Sequence, residues 1–270
     1  MLNDGIVNPN PRTLILLQHF NHGAQNDTST RYFFIHHRIN GDYNDIKSLQ
    51  ILSEVCKSMV PLCRKRLFSS LHLHDWNLER FNDLLSKNPD ISRYMRSLSY
   101  RVYNPIGHEL NCLDILKERS SLQSIELSSS GLSWNNFPEP MRSSLVSLIQ
   151  LPTVTHLYIY SFTRFPVMVL SGCSNLINLQ FGALELVPPE VNQVISRSKI
   201  PTPVSLYIRP RTSNLAALLN SASLHAGGPV VDFSRLQKVT FGVIYSSEFG
   251  PFDELFKVAT RLEHFYIISE

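Results

Sequence analysis

The stretch SSLQSIEL, residues 120–127, is one copy of an eight-residue pattern that recurs along the chain. Its apolar residues Leu122, Ile125 and Leu127 follow one another at i, i+3 and i+5. Four further copies keep this spacing, and they are PTVTHLYI (152–159), SNLINLQF (174–181), SRLQKVTF (234–241) and TRLEHFYI (260–267). Two weaker copies keep only the terminal alternation, MRSLSYRV (95–102) and TPVSLYIR (202–209), so the pattern occurs seven times. Self-similarity of this kind indicates a repeat architecture.

Each copy ends in alternating apolar and polar residues, which is the period of a half-buried strand. The central apolar residues of successive copies lie 22 to 33 residues apart, around the length of a leucine-rich repeat. Helical spacing of apolar residues occurs between copies, in LERFNDLLSKN (78–88), ELNCLDILKE (109–118) and FDELFKVA (252–259). Strands that alternate with helices predict parallel strands whose repeats bury their apolar faces against one another. The predicted fold class is α/β, a leucine-rich-repeat solenoid with a curved parallel sheet and outer helices, preceded by a short helical unit.

A doubly wound nucleotide-binding sheet is the competing α/β architecture. It requires a glycine-rich turn that cradles phosphate. The chain contains neither G-x-G-x-x-G nor G-x-x-x-x-G-K-[ST]. The sequence therefore favours the solenoid.

A short helical unit is predicted before the first repeat. Apolar residues at Leu49, Leu52, Val55, Met59 and Leu62 follow near-helical spacing and predict a helix over about 46–59. Pro61 breaks or restarts that helix. A second short helix through CRKRLF (63–68) then leads into SSLHL (69–73), which alternates as the first edge strand.

The same stretch resembles the second half of an F-box, as found in fungal F-box proteins with leucine-rich repeats. The order Leu52, VCKSM (55–59), RKRLF (64–68) and SSLHL follows the pattern S-x-V-C-[KR]-x-W...R-x-x-L-F-x-x-[LI]-x-L, with Met59 at the tryptophan position. Later stretches are similar to the helix, strand and repeats of that family, so that the resemblance covers residues 46–267. They are FNDLLSKNPDISRYMRSLSYRV (81–102), LPTVTHLYI (151–159) and LSGCSNLINLQF (170–181).

The resemblance implies a substrate-recruiting adaptor of an SCF-type (cullin-RING) ubiquitin ligase. In that family the F-box binds a Skp-type linker and the repeats hold the protein substrate. The residues that would form or support the linker-binding surface are Leu52, Val55, Cys56, Met59, Leu67 and Phe68. The family's opening L-P-x-E-[LI] helix has no counterpart in residues 1–45. Two alternatives therefore stay open. The chain as a whole can be a leucine-rich-repeat scaffold that has lost ligase docking, and the front unit can serve only to cap the first repeat.

The polar residues between the buried positions of each strand should face away from the core. Aligning the copies predicts a central outward column of Ser99, Glu126, Tyr158, Gln180, Tyr207, Thr240 and Tyr266. Tyrosine is a frequent anchor at protein interfaces, although it is also common in strands for packing reasons alone. The predicted substrate-binding residues are His156, Tyr158, Tyr160, Gln180, Tyr207, Arg209 and Tyr266.

Composition limits the class of partner. Lys plus Arg number 25 and Asp plus Glu number 22, a net charge of +3 that is too small and dispersed for a nucleic-acid-binding surface. The four cysteines lie far apart without a C-x-x-C pair, which favours a reducing compartment, cytoplasmic or nuclear. The opening MLNDGIVNPNPRTLILLQHF lacks the features of a targeting segment or membrane span. The expected partners are proteins, with no nucleic acid, no membrane and no cofactor.

Enzyme motifs are weak in this sequence. His72 and His74 share one face of a predicted edge strand, but no set of Asp, Glu and Cys at ligand spacing completes a metal site. His36-His37 is the other close pair. No serine lies in a G-x-S-x-G turn, and Glu185 and Glu190 flank a loop-like stretch. The sequence therefore predicts a non-enzymatic protein.

Three regions follow from these patterns. Residues 1–45 are expected to be irregular or poorly ordered, 46–70 to form the partial F-box-like unit, and 71–270 to hold about seven repeats. The last copy, HFYIISE (264–270), is followed by no polar closing helix. This predicts an exposed apolar edge, and with it either a shortened chain or pairing with another molecule there.

Overall fold

The computed structural model describes residues 48–49, 51–52, 56–103, 110–189, 200–219, 229–243 and 252–269. It divides into two compact units, residues 1–63 and 64–270. In the first unit, residues 48–49 and 51–52 are helical and Lys57–Met59 form a 3-10 helix. The predicted helix over about 46–59 is wrong at Cys56, where extended backbone with φ −133° and ψ 102° interrupts it. The helix α1 spans Val60–Leu67, with Pro61 in its first turn, where a missing N–H costs no hydrogen bond.

The second unit contains an eight-stranded sheet in which every pairing is parallel. Neighbouring strands in this sheet follow one another along the chain. The eight strands are β1 (Ser70–His74), β2 (Ser97–Val102), β3 (Ser124–Ser129), β4 (His156–Tyr160), β6 (Asn178–Gly182), β8 (Ser205–Ile208), β9 (Lys238–Val243) and β10 (His264–Ser269). Two short strands, β5 (Phe165–Pro166) and β7 (Leu186–Val187), form a second parallel ladder. The protein is therefore of the α/β class with a sequentially ordered parallel sheet.

The seven sequence copies occupy seven successive strands of the large sheet and pair without a slip in register. Their central apolar residues stand opposite one another from strand to strand, and β1 adds Leu71 to the same line. This line consists of Leu71, Leu98, Ile125, Leu157, Leu179, Leu206, Val239 and Phe265. All are buried except Phe265. The alignment made from sequence spacing is confirmed because a one-residue slip would turn every buried side chain to the opposite face.

Helices occupy intervals between the strands. The described helices after α1 are α2 (Asp75–Lys87), α3 (Leu110–Arg119), α4 (Glu139–Ile149), α5 (Ala216–Leu219) and α6 (Phe252–Val258). Three of them, α2, α3 and α6, lie where helical spacing predicts them. None of the described helices is long and apolar enough to cross a membrane.

The start of α2 illustrates how a strand passes into a helix. The Asn77 side chain accepts a hydrogen bond from the His74 backbone N–H at 2.8 Å and donates one to the His72 carbonyl at 3.1 Å. Asn77 thereby satisfies a backbone donor at the helix start and fixes the exit from β1. The helix then buries Leu78, Phe81 and Leu85 on one face.

A left-handed corner follows several strands of the sheet. Gly131, Ser161, Ala183 and Arg211 have φ values of 90°, 58°, 48° and 63°. The hydrogen-bond ladder continues through these corners, because the N–H of Gly131 donates to the Ser161 carbonyl at 2.9 Å and that of Ser161 to the Gly182 carbonyl at 2.8 Å. Ser161 and Ala183 occupy equivalent positions directly after the paired ends of β4 and β6.

An aromatic cluster lies just beyond these corners. It contains Trp134, Phe137, Phe162 and Phe165, all of which are buried. The ring centroids of Trp134 and Phe165 are 5.0 Å apart in an edge-to-face arrangement, a geometry that adds to the stabilisation from burial. The short ladder of β5 and β7 thus has its own apolar packing.

Candidate functional site

The outward side chains of β4, β6 and β8 form the candidate site. In β4 the residues His156, Tyr158 and Tyr160 are partly exposed, while the residues between them are fully buried. Strand pairing sets Gln180 beside Tyr158, and Tyr207 beside Gln180. The structure therefore brings together the predicted residues of these three adjacent strands.

Gly182 allows side chains of the two neighbouring strands to approach each other closely at the centre of this site. It stands opposite Tyr160 in the pairing of β4 with β6. A methyl group built on Gly182 would lie 2.7 Å from Tyr160 Cδ1 and 3.2 Å from Arg209 Cβ and Cδ. The side chains of Tyr160 and Arg209 thus close over the glycine from the two neighbouring strands. A larger residue at position 182 cannot coexist with that arrangement unless one of them moves.

Arg209 lies against two tyrosine rings, Tyr160 across Gly182 and Tyr207 two residues before it in the chain. Its Cζ lies 5.0 Å from the ring centroid of Tyr160 and 5.8 Å from that of Tyr207. Both distances are within the range of a cation–π interaction. The Arg209 side chain is therefore held against aromatic surface while its residue remains exposed to solvent.

Burial raises the pKa of Tyr160 to about 12, and the neighbouring Arg209 charge opposes that rise. The pKa of Tyr158 is also raised, first by burial and then by the Glu126 carboxylate, which stands opposite it in the pairing of β3 with β4. Both phenols therefore remain protonated at neutral pH. Groups of this kind offer hydrogen bonds and ring surface to a partner.

Tyr266 lies further along the same column, on the last strand. Thr240 of β9 stands between Tyr207 and Tyr266. Tyr266 is 47% exposed, and Lys238 Nζ lies 5.4 Å from the centroid of its ring. Two cations on this part of the sheet, Arg209 and Lys238, are thus placed over tyrosine rings.

His74, the second histidine of the β1 pair, lies in an aromatic environment. The His74 ring stacks on Trp76 at 5.6 Å and on Tyr103 at 6.4 Å between centroids. Trp76 is 56% exposed and Tyr103 46% exposed. Among the described residues, no group of three or more His, Cys, Asp and Glu is placed to hold a metal ion. His36, His37 and Glu190 lie outside the described residues.

The residues expected to bind a ligase linker differ in exposure. In the first unit, Leu52 is 39% exposed and Cys56 and Met59 are partly exposed. In the second unit, Leu67 is partly exposed and Phe68 is buried. Because its side chain is buried, Phe68 can pack beneath a linker-binding surface but cannot contact the linker directly. Val55 lies outside the described residues.

Two residues that shape the site were not predicted from the sequence. Gly182 and Lys238 fall in the outward columns when the copies are aligned, but neither residue type is a recognisable binding signal. A glycine between a tyrosine and an arginine in consecutive copies is the available clue. The stacked cluster of His74, Trp76 and Tyr103 has no comparable signal, because its rings come from different elements.

Comparison with known proteins finds no matching protein family, no matching curated protein and no matching solved structure.

Proposed function

We propose that the second unit is a leucine-rich-repeat solenoid that binds a protein segment on the outward side chains of its parallel strands. The observation that carries this proposal is the sequential order of eight parallel strands with the repeat copies in register. Stacked repeats bury their apolar faces against one another and leave one row of side chains for a ligand. In this chain that row includes Tyr158, Tyr160 and Tyr207, a residue type that suits protein interfaces.

The test of this binding surface replaces two of its tyrosines. The Tyr158→Ala, Tyr207→Ala double variant should lose most of the proteins that the unaltered chain captures in affinity purification with quantitative mass spectrometry. Tyr94→Ala is the matched control because Tyr94 is partly exposed on the 3-10 helix Pro89–Tyr94. Capture that is unaltered in the double variant would remove the proposal.

The chain further acts, in this proposal, as the substrate-recruiting adaptor of an SCF-type ubiquitin ligase. The resemblance of residues 46–70 to an F-box supports this role. The exposure of apolar side chains in the first unit supports it independently, because Ile51 is 60%, Leu52 39% and Leu62 59% exposed. Exposed aliphatic residues on short helical segments suit docking to a partner. Recruitment would raise the effective concentration of the substrate near the ubiquitin-charged enzyme.

Co-purification of the full chain with a recombinant Skp-type linker tests the ligase role. Leu52→Asp and Leu62→Asp should each weaken linker binding at least about tenfold, because burying a large aliphatic side chain contributes roughly 1.5–3 kcal/mol. Ile177→Asp is the control, since Ile177 is comparably exposed, at 44%, in the second unit. A linker that does not bind the unaltered chain would contradict the adaptor role.

A repeat scaffold without ligase docking is the second candidate function. The absence of an L-P-x-E-[LI] stretch from residues 1–45 favours it. It predicts no linker binding together with partner capture that still depends on Tyr158 and Tyr207. The two experiments above therefore separate the candidates.

A further inference from the structure

One half of the outward face of the sheet carries cations and no carboxylate. This half comprises the outward register positions of the last four strands, and we name it the cationic half. Its residues are Asn178, Gln180, Gly182, Ser205, Tyr207, Arg209, Lys238, Thr240, Gly242, His264, Tyr266 and Ile268. Glu126, the acidic residue of the central column, lies on β3. Three strand spacings separate β3 from β8, about 14 Å, which exceeds the Debye length of about 8 Å at physiological ionic strength.

The two cations of this half are held against tyrosine rings, and no described carboxylate pairs with them. Arg209 lies against the rings of Tyr160 and Tyr207, and Lys238 lies over Tyr266. Within the described part of the chain, neither side chain takes part in an ion pair. The guanidinium of Arg209 therefore retains N–H donors in an orientation that its aromatic neighbours restrict. Such a group suits the planar oxygens of a carboxylate.

We infer that the cationic half binds an acidic segment of a protein partner, with carboxylates on Arg209 and Lys238. This inference rests on the proposed function and specifies the chemistry of the partner. The rings of Tyr160, Tyr207 and Tyr266 pack against the segment, and their hydroxyls offer hydrogen bonds to it. Arg209 and Lys238 attract an acidic segment to the cationic half. Glu126, the one acidic residue of the central column, repels it from β3.

A nucleic acid is the other polyanion that an arginine and tyrosine surface could hold. Specific nucleic-acid binding commonly neutralises about 6–10 phosphates. The cationic half offers two permanent cations, Arg209 and Lys238, and the whole chain has a net charge of only +3. A short acidic peptide matches this number of charges better than a phosphate backbone does.

Fluorescence anisotropy with the full 270-residue chain tests the inference. The probe is a labelled ten-residue peptide of alternating Glu and Ser, with alternating Gln and Ser or Lys and Ser peptides as controls. Only the Glu peptide should bind, and added salt should weaken its binding. Arg209→Gln should weaken it about tenfold, as expected for loss of a charge-assisted pair, and Lys238→Gln should weaken it less.

Arg119→Gln and Lys87→Gln are the matched controls, because both residues are exposed at helix ends and make the same change of charge. Binding of the Glu peptide should be unchanged in both. The inference is overturned if the Glu peptide binds no better than the Gln peptide, if the controls weaken binding as much as Arg209→Gln, or if a ten-nucleotide oligouridylate binds more tightly than the Glu peptide. If it is overturned while partner capture still depends on Tyr158 and Tyr207, the proposed function stands without the acidic partner.

Discussion

At the scale of single residues, Gly182 determines whether Tyr160 and Arg209 can meet. In Gly182→Ala the new methyl group would lie 2.7 Å from the Tyr160 ring, so that the ring or the Arg209 side chain must move. We expect a loss of about 1–3 kcal/mol in the free energy of unfolding, the usual cost of overpacking. Denaturant titration measures this loss.

A double-mutant cycle attributes the cost of Gly182→Ala to the correct neighbour. If Tyr160 is the obstacle, Gly182→Ala should cost clearly less in the background of Tyr160→Ala, because the ring is then absent. An equal cost in both backgrounds would mean that the glycine is required for another reason. The cycle thus separates the close approach seen in the structure from a general preference for glycine at this position.

Two cysteines should differ strongly in reactivity. Burial raises the pKa of Cys173 to about 12, whereas hydrogen bonds, first that of the Ser58 side chain, lower the pKa of Cys56. We expect Cys56 to react with a thiol reagent at pH 8 at least tenfold faster than Cys173, since the thiolate is the nucleophile. Peptide mapping by mass spectrometry after timed labelling measures both rates, with denatured protein as the control. Equal rates in the native protein would contradict the burial of Cys173.

The raised pKa of Cys173 also has a consequence for stability. Its ordinary pKa is 9.0, so the unfolded chain releases the thiol proton before the folded chain does. The contribution of this thiol to stability is therefore fully present below about pH 9 and is lost as the pH rises towards 12. In Cys173→Ala the free energy of unfolding should decrease less between pH 8 and pH 10 than in the unaltered protein. Parallel slopes in denaturant titrations at several pH values would contradict this.

At the scale of elements, the left-handed corners that follow β3, β4, β6 and β8 are a source of strain that glycine can relieve. Ser161 occupies this conformation at φ 58°, which costs roughly 1–2 kcal/mol for a residue other than glycine. Ser161→Gly should therefore raise the free energy of unfolding by about 0.5 kcal/mol, after the extra entropy of glycine in the unfolded chain is subtracted. Ser143→Gly is the matched control. Ser143 is exposed in the interior of α4, where glycine should lower stability by about 0.5 kcal/mol. The same sign at both positions in denaturant titrations would contradict the corner geometry.

The strands were predictable from sequence because their pattern has a strong physical cause. Each copy must bury one face, so the spacing of residues such as Ile125, Leu157 and Leu179 fixes both the strand and its register. The ladder of β5 and β7 was not predictable, because two-residue strands show no periodicity. The corner at Ser161 was also hidden, since no glycine marks its positive φ. The close approach over Gly182 involves two side chains that lie 22 residues before it and 27 residues after it, and no local pattern reports such a contact.

At the scale of the whole second unit, the sequential sheet has two unlike edges. On the first strand the inner residues Leu71 and Leu73 are only 3% and 1% exposed. On the last strand the equivalent residues Phe265 and Ile267 are 37% and 51% exposed. In a stacked array an inner side chain is fully buried only when neighbours cover it from both sides. Burial therefore decreases at β10, while Val239 and Phe241 of β9 are still buried. The last copy should accordingly contribute less to the free energy of unfolding than the copies before it.

A matched pair of substitutions tests this difference between β10 and the inner strands. Ile159 and Ile267 occupy the same register position on β4 and β10, and Ile159 is fully buried. Ile159→Ala should lower the free energy of unfolding by about 2–5 kcal/mol, since it leaves a cavity in packed surroundings. Ile267→Ala removes the same atoms from an exposed site and should cost less than about 1 kcal/mol, because little apolar area returns to water. Denaturant titration of both variants at several protein concentrations measures the difference. Equal costs would mean that β10 is covered in solution, and a cost for Ile267→Ala that rises with protein concentration would identify a second molecule of the chain as the cover.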